Sequence, residues 1–141
     1  MKLAAKARTA VTAMADLAAF GEGLPVPLSQ VAERQRLSLA FLEQIFGKLR
    51  RAGLVESQRG AQGGYVLAKA PGAISLAAIV DAVEEEVRST ACQPGAHMGC
   101  TGTSARCLTH QLWMDLDGHI EGWLQARTLA DVGAAEREPA A

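Results

Sequence analysis

The segment SLAFLEQIFGKLRRAGLVESQRGAQGGYVLA, residues 38–68, places an amphipathic, positively charged stretch directly before two short β-prone runs. Apolar side chains recur at three- and four-residue steps, which predicts a helix beginning at Ser38 and ending before Gly53, with its stripe formed by Leu39, Leu42, Ile45, Phe46 and Leu49. Residues 54–57 and 65–68 flank a Gly-rich turn, so they predict a β-hairpin. The segment therefore predicts a basic helix followed by a hairpin.

Two further helices precede this segment. Apolar spacing predicts a first helix that ends near Phe20 and Gly21, and Gly and Pro residues then break the chain. Ser29 is expected to cap a short second helix that stops near Leu37, with Val31 and Ala32 inside and with Arg34, Gln35 and Arg36 outside. Two short helices, a turn, a basic third helix and a hairpin form the pattern of a winged helix-turn-helix, whose third helix enters the major groove. The alternative is that the third helix is a surface helix of an ordinary helical bundle. The hairpin that follows it favours the winged helix-turn-helix over this alternative.

The C-terminal half predicts two more helices. Ser75 is expected to cap a helix that turns Leu76, Ile79, Val80 and Val83 inward. A long helix is predicted from Thr109 to about Gln125, with apolar positions Leu112, Leu116, Ile120, Trp123 and Leu124. This is more apolar surface than a lone helix can expose, so we expect it to pair with a second copy of the chain, since two-fold related DNA sites call for two reading units. The alternative is that it folds back onto the first helix. Thr128 predicts one last capped turn.

The overall fold class expected is mainly α with a small β-hairpin wing and a long C-terminal dimerisation helix. Residues 1–71 are predicted to form the winged helix-turn-helix DNA-binding domain, residues 72–132 a ligand-binding loop and dimerisation helix, and residues 133–141 a disordered tail. No apolar run approaches the roughly 18 residues that a membrane helix needs. We therefore expect a soluble, cytoplasmic protein.

The net charge of −1 conceals two oppositely charged halves. Residues 1–71 contain ten Lys and Arg against five Asp and Glu, whereas residues 72–141 contain four against ten. A basic half joined to an acidic half is typical of a DNA-reading domain linked to a sensing or pairing domain. Uneven solvation of a globular surface would give the same charge distribution.

All three cysteines lie in one Gly-rich stretch, CQPGAHMGCTGTSARC, residues 92–107. An odd number of cysteines cannot form a closed set of internal disulfides, which favours thiolates used for metal. Cys107 and His110 are three residues apart at the start of a predicted helix, so both side chains can point to one side of it. Cys92 and Cys100 would supply the other sulfur ligands. His97 is the alternative imidazole ligand, and no nucleophile signature, phosphate loop or carboxylate pair indicates an enzyme.

Two kinds of metal centre fit this donor set. Zinc accepts three Cys and one His, but its paired ligands are usually separated by two to four residues, whereas the gaps here are seven and six. Iron–sulfur clusters tolerate looser spacing. A binuclear cluster on three thiolates and one neutral imidazole would carry a net charge of about −1, against about −2 with four thiolates, and should be easier to reduce and to lose.

Several motifs resemble one known family. The resemblance is carried by residues 37–68, the wing motif RGxxGGY at residues 59–65, the string CLTHQLW at residues 107–113 and TLADV at residues 128–132. These resemble the winged-helix iron–sulfur regulators of the IscR type, a family that also includes RirA and NsrR. The resemblance covers the chain from Met1 to about Val132. It implies a homodimeric transcription factor that binds an operator in double-stranded DNA and mainly represses genes for iron–sulfur cluster assembly.

The resemblance also implies particular residue roles. A 2Fe–2S cluster, delivered by the cluster assembly machinery, would be held by Cys92, Cys100, Cys107 and His110. Base contacts are implied for Ser38, Glu43 and Gln44, a minor-groove contact for Arg59, and phosphate contacts for Lys48, Arg50 and Arg51. The longer cysteine gaps resemble RirA-type loops, so an iron-responsive repressor with a 4Fe–4S cluster is an alternative, as is a zinc-stabilised DNA-binding module.

Overall fold

The computed structural model describes residues 5–83 and 108–132. The expected fold class, mainly α with one antiparallel hairpin, is confirmed for these residues. The predicted tail at residues 133–141 lies outside them. Elements follow in the order α1 (Ala5–Phe20), α2 (Leu28–Gln35), α3 (Leu39–Arg51), β1 (Val55–Gln58), β2 (Gly64–Leu67), a 3-10 turn (Pro71–Ala73), α4 (Leu76–Ala82), α5 (His110–Ala126) and a final 3-10 turn (Leu129–Asp131).

Helix α3 forms as its sequence predicts. The Ser38 hydroxyl oxygen accepts a hydrogen bond from the backbone N–H of Phe41 at 3.3 Å, which caps the helix. Gly53 takes φ +78° just after the helix, a conformation that favours glycine. The inner stripe is buried at Leu42, Ile45, Phe46 and Leu49. Leu39 was predicted in the same stripe but is 41% exposed, because it occupies the first turn, at the edge of the core.

Helix α2 begins two residues earlier than its predicted cap allows. Pro27, and not Ser29, is the N-cap residue, and the Pro27 carbonyl accepts from the N–H groups of Gln30 and Val31 at 3.0 and 3.4 Å. Proline fixes its own φ, here at −63°, and α2 begins without a side-chain cap. Ser29 lies exposed in the first turn. The helix ends at Arg36, which adopts a left-handed conformation with φ 54° and ψ 51°.

The β-hairpin, called the wing below, is fixed through Tyr65 of β2 to two other parts of the fold. Its strands pair with Val55 opposite Leu67 and Gln58 opposite Gly64. Tyr65 also exchanges two backbone hydrogen bonds of 2.9 Å with Val26, in the loop between α1 and α2. The Tyr65 ring packs edge-on against the Phe46 ring of α3, with 4.9 Å between the two ring centroids. These contacts fix the wing relative to α3.

One hydrophobic cluster joins the two predicted domains. It combines buried side chains of α1, α2 and α3 with five residues that follow position 71, namely Ile74, Leu76, Ile79, Val83 and Leu129. Ser75 caps α4 as predicted, accepting from the N–H of Ala78 at 3.0 Å. The predicted boundary at residue 71 therefore does not separate two cores among the described residues, and the division stays a prediction about function.

Helix α5 is attached to this core near its C-terminal end. A β-bridge pairs Ser75 with Thr128, and Leu124 packs on the core. Thr128 and Asp131 form the predicted capped turn, with the Thr128 N–H donating to the Asp131 carboxylate at 2.8 Å. No residue of α5 is buried, although its sequence is rich in apolar side chains. None of the helices among residues 5–83 and 108–132 combines the length and apolar character that crossing a membrane requires.

Candidate nucleic-acid interface and metal ligands

The outward face of α3 carries the side chains predicted to read DNA. Glu43 and Gln44 are adjacent and exposed, and exposed Arg51 follows them two turns later, on the side opposite the stripe buried in the core. Ser38 is also exposed, at the N-terminal end of this face. Its oxygen accepts the capping hydrogen bond, and the hydroxyl hydrogen remains able to donate to an acceptor outside the chain. This surface presents a donor, a carboxylate and an amide side by side.

Cationic side chains surround the C-terminal part of that face. Lys48 is half-buried, while Arg50 and Arg51 are exposed, and all three lie in the last turn of α3. Arg59 follows β1 directly and is exposed where the wing turns. Gly60, beside it, has φ +114°, so the turn adopts a conformation that side-chain-bearing residues rarely take. The predicted phosphate and minor-groove residues therefore lie on α3 and on the wing, which are packed against each other.

A buried carboxylate, which the sequence reasoning missed, holds α2 in place. Asp16 of α1 is 2% exposed and accepts two hydrogen bonds from the Arg34 guanidinium, at 3.0 and 2.7 Å, and one from the Gln35 amide at 2.9 Å. The hydrogen bonds from Arg34 raise the pKa of this guanidinium above its ordinary value, against the opposing effect of desolvation. Arg34 also lies over the Phe20 ring at 4.9 Å.

Arg34 and Gln35 were predicted to lie outside the core. Arg34 is exposed and Gln35 is half-buried, but both donate hydrogen bonds to Asp16, because a buried carboxylate needs partners. The signal in the sequence is the position of Asp16, three residues after Ala13 and directly before Leu17, among residues that face the core. This ion pair connects the two helices that precede α3, so it orients the whole reading surface.

His110, the predicted imidazole ligand, is the first residue of α5 and is half-buried. The preceding Thr109 accepts a hydrogen bond from the Trp113 indole N–H at 3.0 Å, which ties the start of the helix together. Cys92, Cys100, Cys107 and the alternative ligand His97 lie outside the described residues. Within residues 5–83 and 108–132, no group of three potential ligands converges. The ligand set stays a prediction, supported by its donor chemistry.

Comparison with known proteins places the chain in a family. The family model described as "Rrf2: Iron-dependent Transcriptional regulator" matches residues 3–135. The chain is similar to the HTH-type transcriptional regulator IscR of Yersinia pseudotuberculosis, with 48% identity over 132 residues that cover 94% of this chain and 79% of the relative. These relatives are transcriptional regulators and not enzymes.

Solved structures agree with this assignment. The fold is similar to T. potens IscR, with a TM-score of 0.77 and 36% identity over 100% of this chain and 94% of that one. It is equally similar to CymR (YrzC), the global cysteine regulator of B. subtilis, with a TM-score of 0.77 and 32% identity over 96% and 98% of the two chains. The chain belongs to the Rrf2 family of iron-dependent transcriptional regulators and is a DNA-binding regulator of the IscR type.

Proposed function

We propose that this regulator senses iron–sulfur cluster supply and mainly represses genes for cluster assembly. In this proposal Cys92, Cys100, Cys107 and His110 hold a 2Fe–2S cluster delivered by the assembly machinery. The regulator acts on DNA in the cytoplasm. The observation that carries the proposal is that His110 begins a helix on which Leu112, Leu116 and Trp123 stay exposed among the described residues.

The donor set suits such a cluster. Three thiolates and one imidazole satisfy four coordination positions, and the single imidazole lowers the net negative charge relative to four thiolates. When bound, the cluster supplies a redox-active and labile group whose presence reports cluster supply. His110 contributes the ligand that α5 orients, because it lies within the helix.

Helix α5 provides the connection from ligand to DNA. Its C-terminal end is joined by the bridge between Ser75 and Thr128 to the N-cap of α4. Helix α4 shares one core with the reading unit, meaning α1 to α3 and the wing. Its 17 residues extend about 25 Å, so His110 lies at the far end. Leu112, Leu116 and Trp123 remain exposed along one side of the helix. A second copy packed on that side forms the homodimer, and ligation at His110 then alters how the two reading units are held.

The DNA contacts follow from the α3 surface and the wing. Ser38, Glu43 and Gln44 face the bases, while Lys48, Arg50 and Arg51 contact phosphates. Arg59 enters the minor groove from the wing, where a narrow groove attracts a guanidinium. Glu43 accepts a hydrogen bond from cytosine and is repelled by phosphate, so it discriminates between operators.

Anaerobic purification tests the metal assignment. We expect red-brown protein with visible charge-transfer absorption and two iron and two sulfide per chain. His110→Ala and Cys107→Ala should lose this absorption and change operator preference while remaining dimeric. His119→Ala, at an exposed histidine of the same helix, is the matched control and should resemble the parent protein.

Other outcomes each contradict a defined part of the proposal. Colourless protein with stoichiometric zinc would establish a constitutive zinc-stabilised module. Four iron and four sulfide per chain would favour the RirA-like repressor. Unchanged operator preference in both ligand variants would remove the sensing function and leave a DNA-binding protein.

A further inference from the structure

The cations of α3 are concentrated at one end of the helix. Lys48, Arg50 and Arg51 all belong to its last turn, whereas its first turn, residues 39–42, contains no charged side chain. A helix of 13 residues is about 20 Å long, and the major groove that receives it is about 12 Å wide with a phosphate backbone on each side. The cations of the last turn can contact the phosphates of one backbone. A contact to the other backbone has to come from the first turn of α3 or from a segment beside it.

Arg36 is the cation placed at the other end of α3. It lies two residues before Ser38, in the turn that joins α2 to α3, and its side chain is exposed. Unlike Arg34, whose charge is neutralised by Asp16, it forms no ion pair with another described residue. Its positive charge is therefore available to an external anion.

The turn itself does not need an arginine. Arg36 adopts φ 54° and ψ 51°, a conformation in which glycine is favoured over any residue with a Cβ atom. The interaction that closes the helix, from the Arg36 backbone N–H to the Ala32 carbonyl, uses no side-chain atom. Backbone requirements alone would favour glycine, so they do not explain the guanidinium.

We propose that Arg36 is a further DNA-contacting residue, whose guanidinium binds a backbone phosphate on the side of the groove opposite the last turn of α3. This inference rests on the proposed use of the α3 surface as the reading face. Arg36 positions the helix across the groove and adds affinity that does not depend on base sequence.

Replacing Arg36 by Gly separates the two possible roles of this residue, because stability and DNA affinity should move in opposite directions. Relief of the left-handed backbone should raise Tm by about 4 °C. Loss of a phosphate contact should lower operator affinity about eightfold per reading unit at about 0.1 M salt, and should reduce the slope of log K against log salt by about one. Arg36→Lys, which keeps the charge, should retain the slope.

Glu22→Gly is the matched control for stability. Glu22 is the other described residue, apart from glycines, with positive φ, at 49°, and it is exposed in the loop after α1. Its replacement should raise Tm in the same way without reducing affinity or salt slope. An unchanged slope in Arg36→Gly, or a slope in Arg36→Lys as low as in Arg36→Gly, would overturn the assignment.

Arg51→Ala distinguishes failure of this inference from failure of the reading face. If Arg51→Ala weakens operator binding while Arg36→Gly does not, Arg36 is only a solvated turn residue and the α3 surface still reads DNA. If neither variant changes binding, the proposed reading face itself is wrong. These measurements use the complete chain, purified without air, and DNA that contains a promoter sequence to which the parent protein binds.

Discussion

Trp123→Ala should break the proposed dimer without unfolding the chain. The Trp123 side chain is 54% exposed and lies on the same side of α5 as Leu116, seven residues earlier. A tryptophan presents up to roughly 250 Å², so about 135 Å² of it is open to a partner. Covering that area contributes about 3 kcal/mol at about 25 cal/mol per Å². The dimer contains two Trp123 side chains, and a partner covers each of them only in part. We therefore expect the substitution to weaken the free energy of dimerisation by about 3–6 kcal/mol, which raises the dimer Kd about a hundredfold to ten-thousandfold.

Sedimentation equilibrium over micromolar concentrations measures this loss directly. Gln125→Ala is the control, because Gln125 is exposed on another side of α5 and its side-chain amide donates to Glu121 of the same helix at 3.3 Å. The control should leave the dimer Kd within about threefold of the parent value, which corresponds to less than 1 kcal/mol. Circular dichroism should show that Trp123→Ala keeps its helices. A folded variant that dimerises as tightly as the parent would show that this side of α5 is not the interface.

Three further changes test how the reading unit is built. Arg34→Ala should lower the free energy of unfolding by about 2–3 kcal/mol. This is less than the loss expected for a fully buried ion pair, because Arg34 is partly exposed. A urea midpoint equal to that of the parent protein would contradict the prediction. Gly64→Ala should destabilise the wing, since its Cβ would lie 2.3 Å from the Val26 carbonyl carbon, whereas Gly72→Ala has open space and should be neutral by thermal melting. Arg59→Ala should weaken binding most at operators with narrow minor grooves, while Arg51→Ala should weaken all operators alike; equal patterns in anisotropy titrations would refute the wing contact.

Periodicity predicted most of the fold because helices and strands expose one side and bury the other. The buried residues of α3 and α4 were predictable from three- and four-residue spacing. Ser75 was predicted as a cap and Ser38 as the start of α3, and both hydroxyl oxygens accept from free backbone N–H groups. The same spacing predicted the apolar side chains of α5, of which Leu112, Leu116 and Trp123 are exposed.

Contacts between distant segments were not predictable in the same way. The ion pair of Asp16 with Arg34 joins residues that are 18 positions apart in the sequence. Local periodicity describes only residues within a few positions of each other, so it cannot predict such a pair. The bridge between Val26 and Tyr65 is an isolated pair, so no alternation of apolar and polar residues around Val26 predicts it. Pro27 replaced the expected cap because its carbonyl, and not a side chain, begins α2. Of the predicted metal ligands, only His110 belongs to the described residues, and the cysteine ligands stay a prediction.

The most direct test of cluster sensing is the operator affinity of cluster-loaded protein against cluster-free protein, measured without air at one salt concentration. We expect at least a fivefold difference for a cluster-assembly promoter, within the usual range for coupling between two sites. In His110→Ala, iron and sulfide treatment should leave the affinity unchanged. Equal affinities for the loaded and cluster-free parent protein, at every promoter that it binds, would contradict a sensing role for these ligands.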